Sequence, residues 1–205
     1  MSYFPMFIEL NDEDCLIVGG GRIALHKVKV LKDFGARITV VAARILPELK
    51  AAEDIEFQER RFAPEDVEGR RLVIAATDDK EQNHRISMIC KKKHIPVNAV
   101  DQTEDCSFIF PAYLKENEVV AAFSSGGQSP VVTQYLKEQM RSVMSELLGE
   151  LAMQLGGVRE RIRQSVPECE RKAVYQAILQ KGLKHGEPLS DEDIELLIFG
   201  CTRSE

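Results

Sequence analysis

The sequence predicts an α/β chain: a doubly wound parallel sheet first, then a small region of paired extended runs with a long helix, then a carboxyl-terminal helical region. Three observations predict it. Apolar runs alternate with helically spaced stripes at βαβ distance as far as Asp101. Two extended runs then face each other across a short polar turn. From Ser129 onward, apolar residues recur at helical spacing. The boundaries are placed at 1–106, 107–148 and 149–205.

Residues 7–10 read as an edge strand, and Asn11, Asp12, Glu13 and Asp14 turn the chain into a first core strand at 15–19. Ile23, Ala24, Val28, Val30, Leu31 and Phe34 form a helical stripe that stops at Gly35. A second strand follows at 37–42, a third at 55–58, and a fourth at 71–77 that is apolar enough to be covered on both faces. A helix at 83–93 leads to a short fifth strand at 96–100. Such alternation places a ligand at the carboxyl ends of the strands, so the loops after Val18, Ala42 and Ala76 should converge, with the Asp101 loop beside them.

Residues 107–114 and 118–124 are the extended pair, joined at Lys115, Glu116 and Asn117 and expected to run antiparallel. Ser129 is placed as N-cap and Pro130 at the first position of a helix running toward Leu155, broken by Gly156 and Gly157. Residues 165–167 and 186–188 are further breaks, and a last helix opens at Ser190.

The chemistry is densest where the first strand meets its helix. Cys15 to Ala24 carries Gly-x-Gly-x-x-Ala, a variant of the Rossmann dinucleotide fingerprint. Gly19 makes the turn out of the strand, Gly21 lets the backbone approach a pyrophosphate, and Ala24 is small enough for close helix-to-strand packing. The following helix, opening at Arg22 and Ile23, aims its free N–H groups at the anion. The acidic residue that normally receives the ribose about 20 residues later is missing, and Arg44 follows the second strand instead.

Composition bounds the partners. Of 205 residues, 44% are hydrophobic and 29% charged, an ordinary globular balance, and the net charge of −6 argues against nucleic acid as a partner. Five cysteines, Cys15, Cys90, Cys106, Cys169 and Cys201, show neither C-x-x-C spacing nor an even count, which points to a reducing cytoplasm and to no metal cluster. The four histidines, His26, His84, His94 and His185, are not spaced as a ligand set. No secretory signal and no membrane span are expected.

The succession GGGRIALHK, ITVVAA, LVIAATDD, PVNAVD, SFIFPA and FSSGGQSP, in that order and spacing, resembles the precorrin-2 dehydrogenase family of siroheme synthesis, over roughly residues 3 to 145. The resemblance implies NAD-dependent oxidation of precorrin-2, a tetrapyrrole, to sirohydrochlorin. It implies a homodimer built from a Rossmann domain, a dimerisation region and C-terminal helices. Some family members also insert ferrous iron, and the resemblance leaves that activity open, as it leaves iron against cobalt. By similarity Gly19, Gly21, Arg22 and Ile23 hold the pyrophosphate, Val41 and Ala42 face the adenosine, and Ala75, Ala76 and Thr77 line the nicotinamide side. Asp101 matches the family's catalytic aspartate and Ser125 a serine of its active site. Residue chemistry alone leaves Asp101 open between general base and turn cap.

Ser124, Ser125, Gly126, Gly127 and the helix capped by Ser129 are expected to offer N–H groups to the substrate's carboxylates, with charge from Arg22, His26 or Lys27. The chain shows His26 where the family has arginine, and Ala43 where it has proline. The family uses NAD without the missing ribose acid, so NAD is the expected cofactor and a strong NADP preference would overturn that choice. The chain is also expected to lack the methyltransferase domain of the trifunctional family members. An NAD(H)-binding redox sensor without catalysis is the competing class, since fold alone does not fix function.

Overall fold

A computed structural model describes residues 3–201, the side chain of Cys201 excepted, so the Cys201 thiol lies outside the described residues. The chain divides into two compact units, one formed by Phe4–Phe110 and the other by the residues from Pro111 onward together with Tyr3.

The first unit is a five-stranded parallel sheet of β1 (Asp14–Val18), β2 (Arg37–Val41), β3 (Ile55–Gln58), β4 (Leu72–Ala75) and β5 (Val97–Ala99), in the order β3-β2-β1-β4-β5. Cys15 pairs with Ile38 on one side and Leu72 on the other, so β1 is central and reads as an unbroken apolar run. Alternation divides its side chains between two cores. Cys15 and Ile17 pack with Ala24, Val28 and Leu31 of α1 (Arg22–Lys32) and with Leu49 of α2 (Pro47–Lys50). Leu16 and Val18 pack on the other face with Ile86 and Cys90 of α3 (Lys80–Lys92). Helices therefore cover both faces, as the double winding requires. Among the described residues no helix is long and apolar enough to cross a membrane.

Two details of this unit differ from expectation. Residues 7–10 form no strand: Phe7 is 74% exposed and only Leu10 joins the core, while β3 and β5 are the sheet's edges. The α3 helix opens three residues before Asn83, because the Asp79 carboxylate accepts from the Glu81 and Gln82 N–H groups at 3.0 and 3.1 Å and nucleates the turn there.

The second unit carries the antiparallel hairpin β6 (Ala112–Glu116) and β7 (Val119–Phe123), turned at Asn117 with φ 53°. The first of these strands starts later than expected. Residues 107–110 belong to the first unit, where the Ser107 N–H donates to the Val97 carbonyl and the Ser107 hydroxyl accepts from the Val97 N–H, both at 2.8 Å. The long helix expected from 131 to 155 is two helices, α4 (Pro130–Arg141) and α5 (Glu146–Gly157). Met144 is buried between them and Ser145 caps the second, accepting from Leu148 N at 3.3 Å. As expected, α5 ends at the two glycines: Gly157 is its last residue, and Val158, buried with Ile162, Val174 and Ile178, caps it before the next helix opens. The remaining helices, α6 (Arg159–Ser165), α7 (Glu168–His185) and α8 (Asp191–Cys201), build that second core.

Candidate functional site

Sheet order makes the site. With β1 flanked by β2 and β4, the loops after these three strands meet at their carboxyl ends, as the sequence predicts. Gly19 leaves β1 at φ 131° with its N–H on the Val41 carbonyl at 2.9 Å, and a Cβ there would overlap the Ala76 carbonyl. Only glycine lets the β1 and β4 loops close on each other. Gly20 is held as tightly, its carbonyl accepting from Leu46 N at 2.9 Å, and a Cβ there would overlap the Arg44 carbonyl. The fingerprint leaves that position free, so Gly20 was detectable only as the middle of three glycines.

Gly21 differs from both. It is the N-cap of α1, and no atom lies within 4 Å of where its Cβ would stand. No side chain caps α1 and no acidic residue sits in its first turn, so the N–H groups that open the helix remain available. They border a cleft of about 1300 Å³, lined by the Gly19–Ile23 loop, by residues 41–47 after β2, and by Ala76, Thr77 and the start of α3 after β4. That space exceeds the roughly 300–1,000 Å³ of drug-sized pockets, which suits a ligand as long as a dinucleotide.

Of the expected cofactor residues, Gly19, Gly21, Arg22, Ile23, Val41, Ala42, Ala76 and Thr77 line this cleft. Ala75 does not; it is fully buried inside β4, and its part is to pack beneath the loop. Sequence reasoning missed Arg61, Phe62 and Arg85, which reach the cleft from the β3 loop and α3. It also missed Asn83, whose side chain accepts from Thr77 N at 3.1 Å and Oγ1 at 2.7 Å and donates to the Thr77 carbonyl at 3.1 Å, fixing the β4 loop. A buried polar residue on the inner face of α3 was the available signal.

Asp78, Asp79 and Glu81 stand with Arg85 on the β4–α3 side of the cleft, whereas the β2 side carries Arg44 and no carboxylate. Of Arg22, His26 and Lys27, only Arg22 reaches the cleft. Lys27 instead lies with its Nζ 3.7 Å over the Phe110 ring, and burial pushes its ammonium below the usual lysine range.

Asp101 follows β5 at the same carboxyl edge, exposed and with φ 59°. The Val100 N–H ties that loop to the Ala75 carbonyl of β4 at 2.9 Å. Asp101 stands one strand beyond the cleft wall rather than in it, since the cleft's lining ends with the β4 loop and α3.

In the second unit, the Ser124–Ser129 loop largely satisfies itself. Ser125 Oγ accepts from Ser129 N at 2.9 Å and donates to the Ser129 carbonyl at 3.0 Å. Gly126 N donates to Ser124 Oγ and Gln128 N to the Ser125 carbonyl. Ser129 caps α4 as expected, accepting from Val132 N. Among the described residues the Gly127 N–H has no partner, and both glycines are left-handed with open space around them. The loop thus uses the Gly126, Gln128 and Ser129 N–H groups to close itself, and the Gly127 N–H is among those it leaves open to an anion.

Among the described residues no three His, Cys, Asp or Glu side chains are grouped as a metal site. Burial pushes the Cys15 and Cys90 thiols up to about 11.

Residues 6–112 match a protein family described as "Putative NAD(P)-binding". The siroheme synthase of Thioalkalivibrio sulfidiphilus is 41% identical over 184 residues, covering 88% of this chain and 38% of that protein. The siroheme synthase of Methylococcus capsulatus is 41% identical over 171 residues, covering 82% of this chain and 36% of that protein. The chain therefore spans well under half the length of these relatives. Among solved structures, the precorrin-2 dehydrogenase SirC shares the fold, with a TM-score of 0.68 at 23% identity over 98% of this chain and all of that one.

Proposed function

The chain belongs to the NAD(P)-binding family that its residues 6–112 match, and from that premise we propose that it oxidises precorrin-2 to sirohydrochlorin with NAD, a step of siroheme synthesis. The observation that carries the reading is the cradle: a strand that turns on Gly19 and Gly20 into an uncapped helix start at the edge of a dinucleotide-sized cleft. The siroheme synthases that align with 88% and 82% of the chain, and the SirC fold, support the substrate assignment. Three functional regions belong to the same proposal: an NAD-binding region (1–106), a dimerisation region (107–148) and a C-terminal helical region (149–205).

The cleft fits NAD in volume, in its free helix N-terminus and in the open space at Gly21. Gly21, Arg22 and Ile23 hold the pyrophosphate, Val41 and Ala42 the adenosine side, and Ala76 and Thr77 the nicotinamide side, with Ala75 packed beneath. When bound, NAD supplies the hydride acceptor. The substrate must also lose a proton, and the Asp101 carboxylate is the base that takes it. Ser124, Ser125, Gly126, Gly127 and Ser129 receive the substrate's carboxylates, through the N–H groups the loop leaves open, that of Gly127 among them.

The protein acts in the cytoplasm as a homodimer. No residue of α4 is buried, and Val131, Val132, Tyr135 and Leu136 stand exposed on it, which supports a second copy as the cover.

The test is a spectrophotometric assay of precorrin-2, generated in situ, with NAD. Appearance of sirohydrochlorin supports the reading, whereas NAD binding without turnover favours a redox-sensing module instead. Ferrous ion insertion is measured in parallel, as loss of sirohydrochlorin absorbance above the spontaneous rate.

A further inference from the structure

Asp101 holds a backbone conformation that its surroundings must enforce. At φ 59° a non-glycine residue is disfavoured, and such a conformation persists where the neighbouring structure over-determines it. On the amino side the constraint is the Val100–Ala75 hydrogen bond to β4. On the carboxyl side Gln102 N reaches the Ala99 carbonyl at 3.3 Å, and the chain enters a short 3-10 turn, Thr103–Asp105.

That turn is clamped to α3. Three side chains on one face of the helix, at 84, 87 and 91, each reach it. His84 Nδ1 lies 2.8 Å from Asp105 Oδ1, Ser87 Oγ donates to the Asp105 carbonyl at 2.5 Å, and Lys91 Nζ donates to the Glu104 carbonyl at 2.9 Å. Asp105 is 4% exposed and His84 has a side chain 56% exposed, so the carboxylate is the buried member of the pair. Its second oxygen accepts from Gln102 Nε2 at 2.9 Å. Gln102 is the residue beside Asp101. Its Oε1 is a buried side-chain acceptor without a partner among the described residues, a cost borne while Nε2 keeps its bond to Asp105.

We propose that Asp105 is a positioning residue for Asp101: its carboxylate ties Gln102 to α3 through His84 and so holds the Asp101 backbone in its left-handed turn. The inference rests on the reading of Asp101 as the base. Neither the dinucleotide fingerprint nor the expected site residues include Asp105, His84 or Gln102. Because Asp105 lies outside the cleft lining, its loss should act on turnover and not on cofactor affinity.

The experiment uses Asp105→Leu, an apolar replacement of similar size that removes the tether, and Asp105→Asn, which keeps an oxygen for Gln102. The expected result is a fall in kcat of tenfold or more for Asp105→Leu, with the Kd for NAD within twofold of the parent, and recovery of most of that loss in Asp105→Asn. Parental kcat in Asp105→Leu overturns the proposal, and so does an equal loss in both variants. If Asp105→Leu does not fold, Gln102→Met cuts the same tether from its other end, and parental kcat there overturns the proposal equally. Asp101→Ala is run alongside. Parental turnover in Asp101→Ala sinks the base assignment, while lost turnover there with an unaffected Asp105→Leu sinks the tether alone.

Discussion

Gly21→Ala separates cofactor binding from folding better than any other single change in the cradle. At this N-cap the backbone is extended, with φ −91°, so alanine adopts it without strain, and the added Cβ meets no protein atom within 4 Å. The fold should tolerate the change, with an effect on stability within about 0.5 kcal/mol. The methyl group instead enters the space beside the helix N-terminus, where the pyrophosphate must come close. Losing one hydrogen bond to a charged group costs about 1.5–3 kcal/mol, and each 1.4 kcal/mol is about tenfold in Kd. The expected outcome is NAD affinity weaker by about 10- to 150-fold, read by fluorescence titration, with an unchanged urea midpoint. The contrasting Gly19→Ala should lower stability as well, since its Cβ overlaps the Ala76 carbonyl at φ 131°. NAD affinity within twofold of the parent in Gly21→Ala would refute the placement of the pyrophosphate.

Ile86→Ala removes a fully buried side chain from the core shared by β1, β4 and α3 and should cost about 2–5 kcal/mol in urea unfolding; a loss below about 1 kcal/mol would contradict that packing. The hydrogen bonds from Arg60, aided by the Ala63 N–H, hold the Asp66 carboxyl below its usual 3.8. A depressed folded value stabilises above pH 3.8 and is lost as pH falls through it, so Arg60→Met should lower the denaturation midpoint at pH 7 and the gap should close below pH 3.8. A gap constant from neutral to strongly acidic pH would contradict the assignment. In a Cys201→Ser chain at pH 8, an aromatic disulfide reagent should modify Cys169 promptly and leave Cys15 and Cys90 untouched, because burial holds both thiols at about 11; rapid modification of either would show that its core opens.

The sheet was legible because its strands are covered on both faces. Leu16 to Val18 and Leu72 to Ala75 are apolar without alternation, which sequence displays directly. The glycine turn was legible because strand, glycines and helix are contiguous. Residues 7–10 misled because Phe7 and Ile8 read as strand formers, while strand formation needs a free sheet edge beside them. The break between α4 and α5 carries neither glycine nor proline, and only Ser145 marks it. Gly156 and Gly157 read as a stop, and α5 does end at Gly157, because two adjacent residues of poor helix propensity mark a boundary that sequence displays directly. Arg61 lies far in sequence from the glycine loop it accompanies, as His84 does from Asp105, so only tertiary folding brings them together.

The oxidation itself is read by following NADH and sirohydrochlorin together in a single reaction of precorrin-2 with NAD. Both products should rise in equal amounts with the parent chain, and neither should form with Asp101→Ala although that variant still binds NAD. Tight NAD binding by the parent chain with no sirohydrochlorin formed would contradict the proposed oxidation.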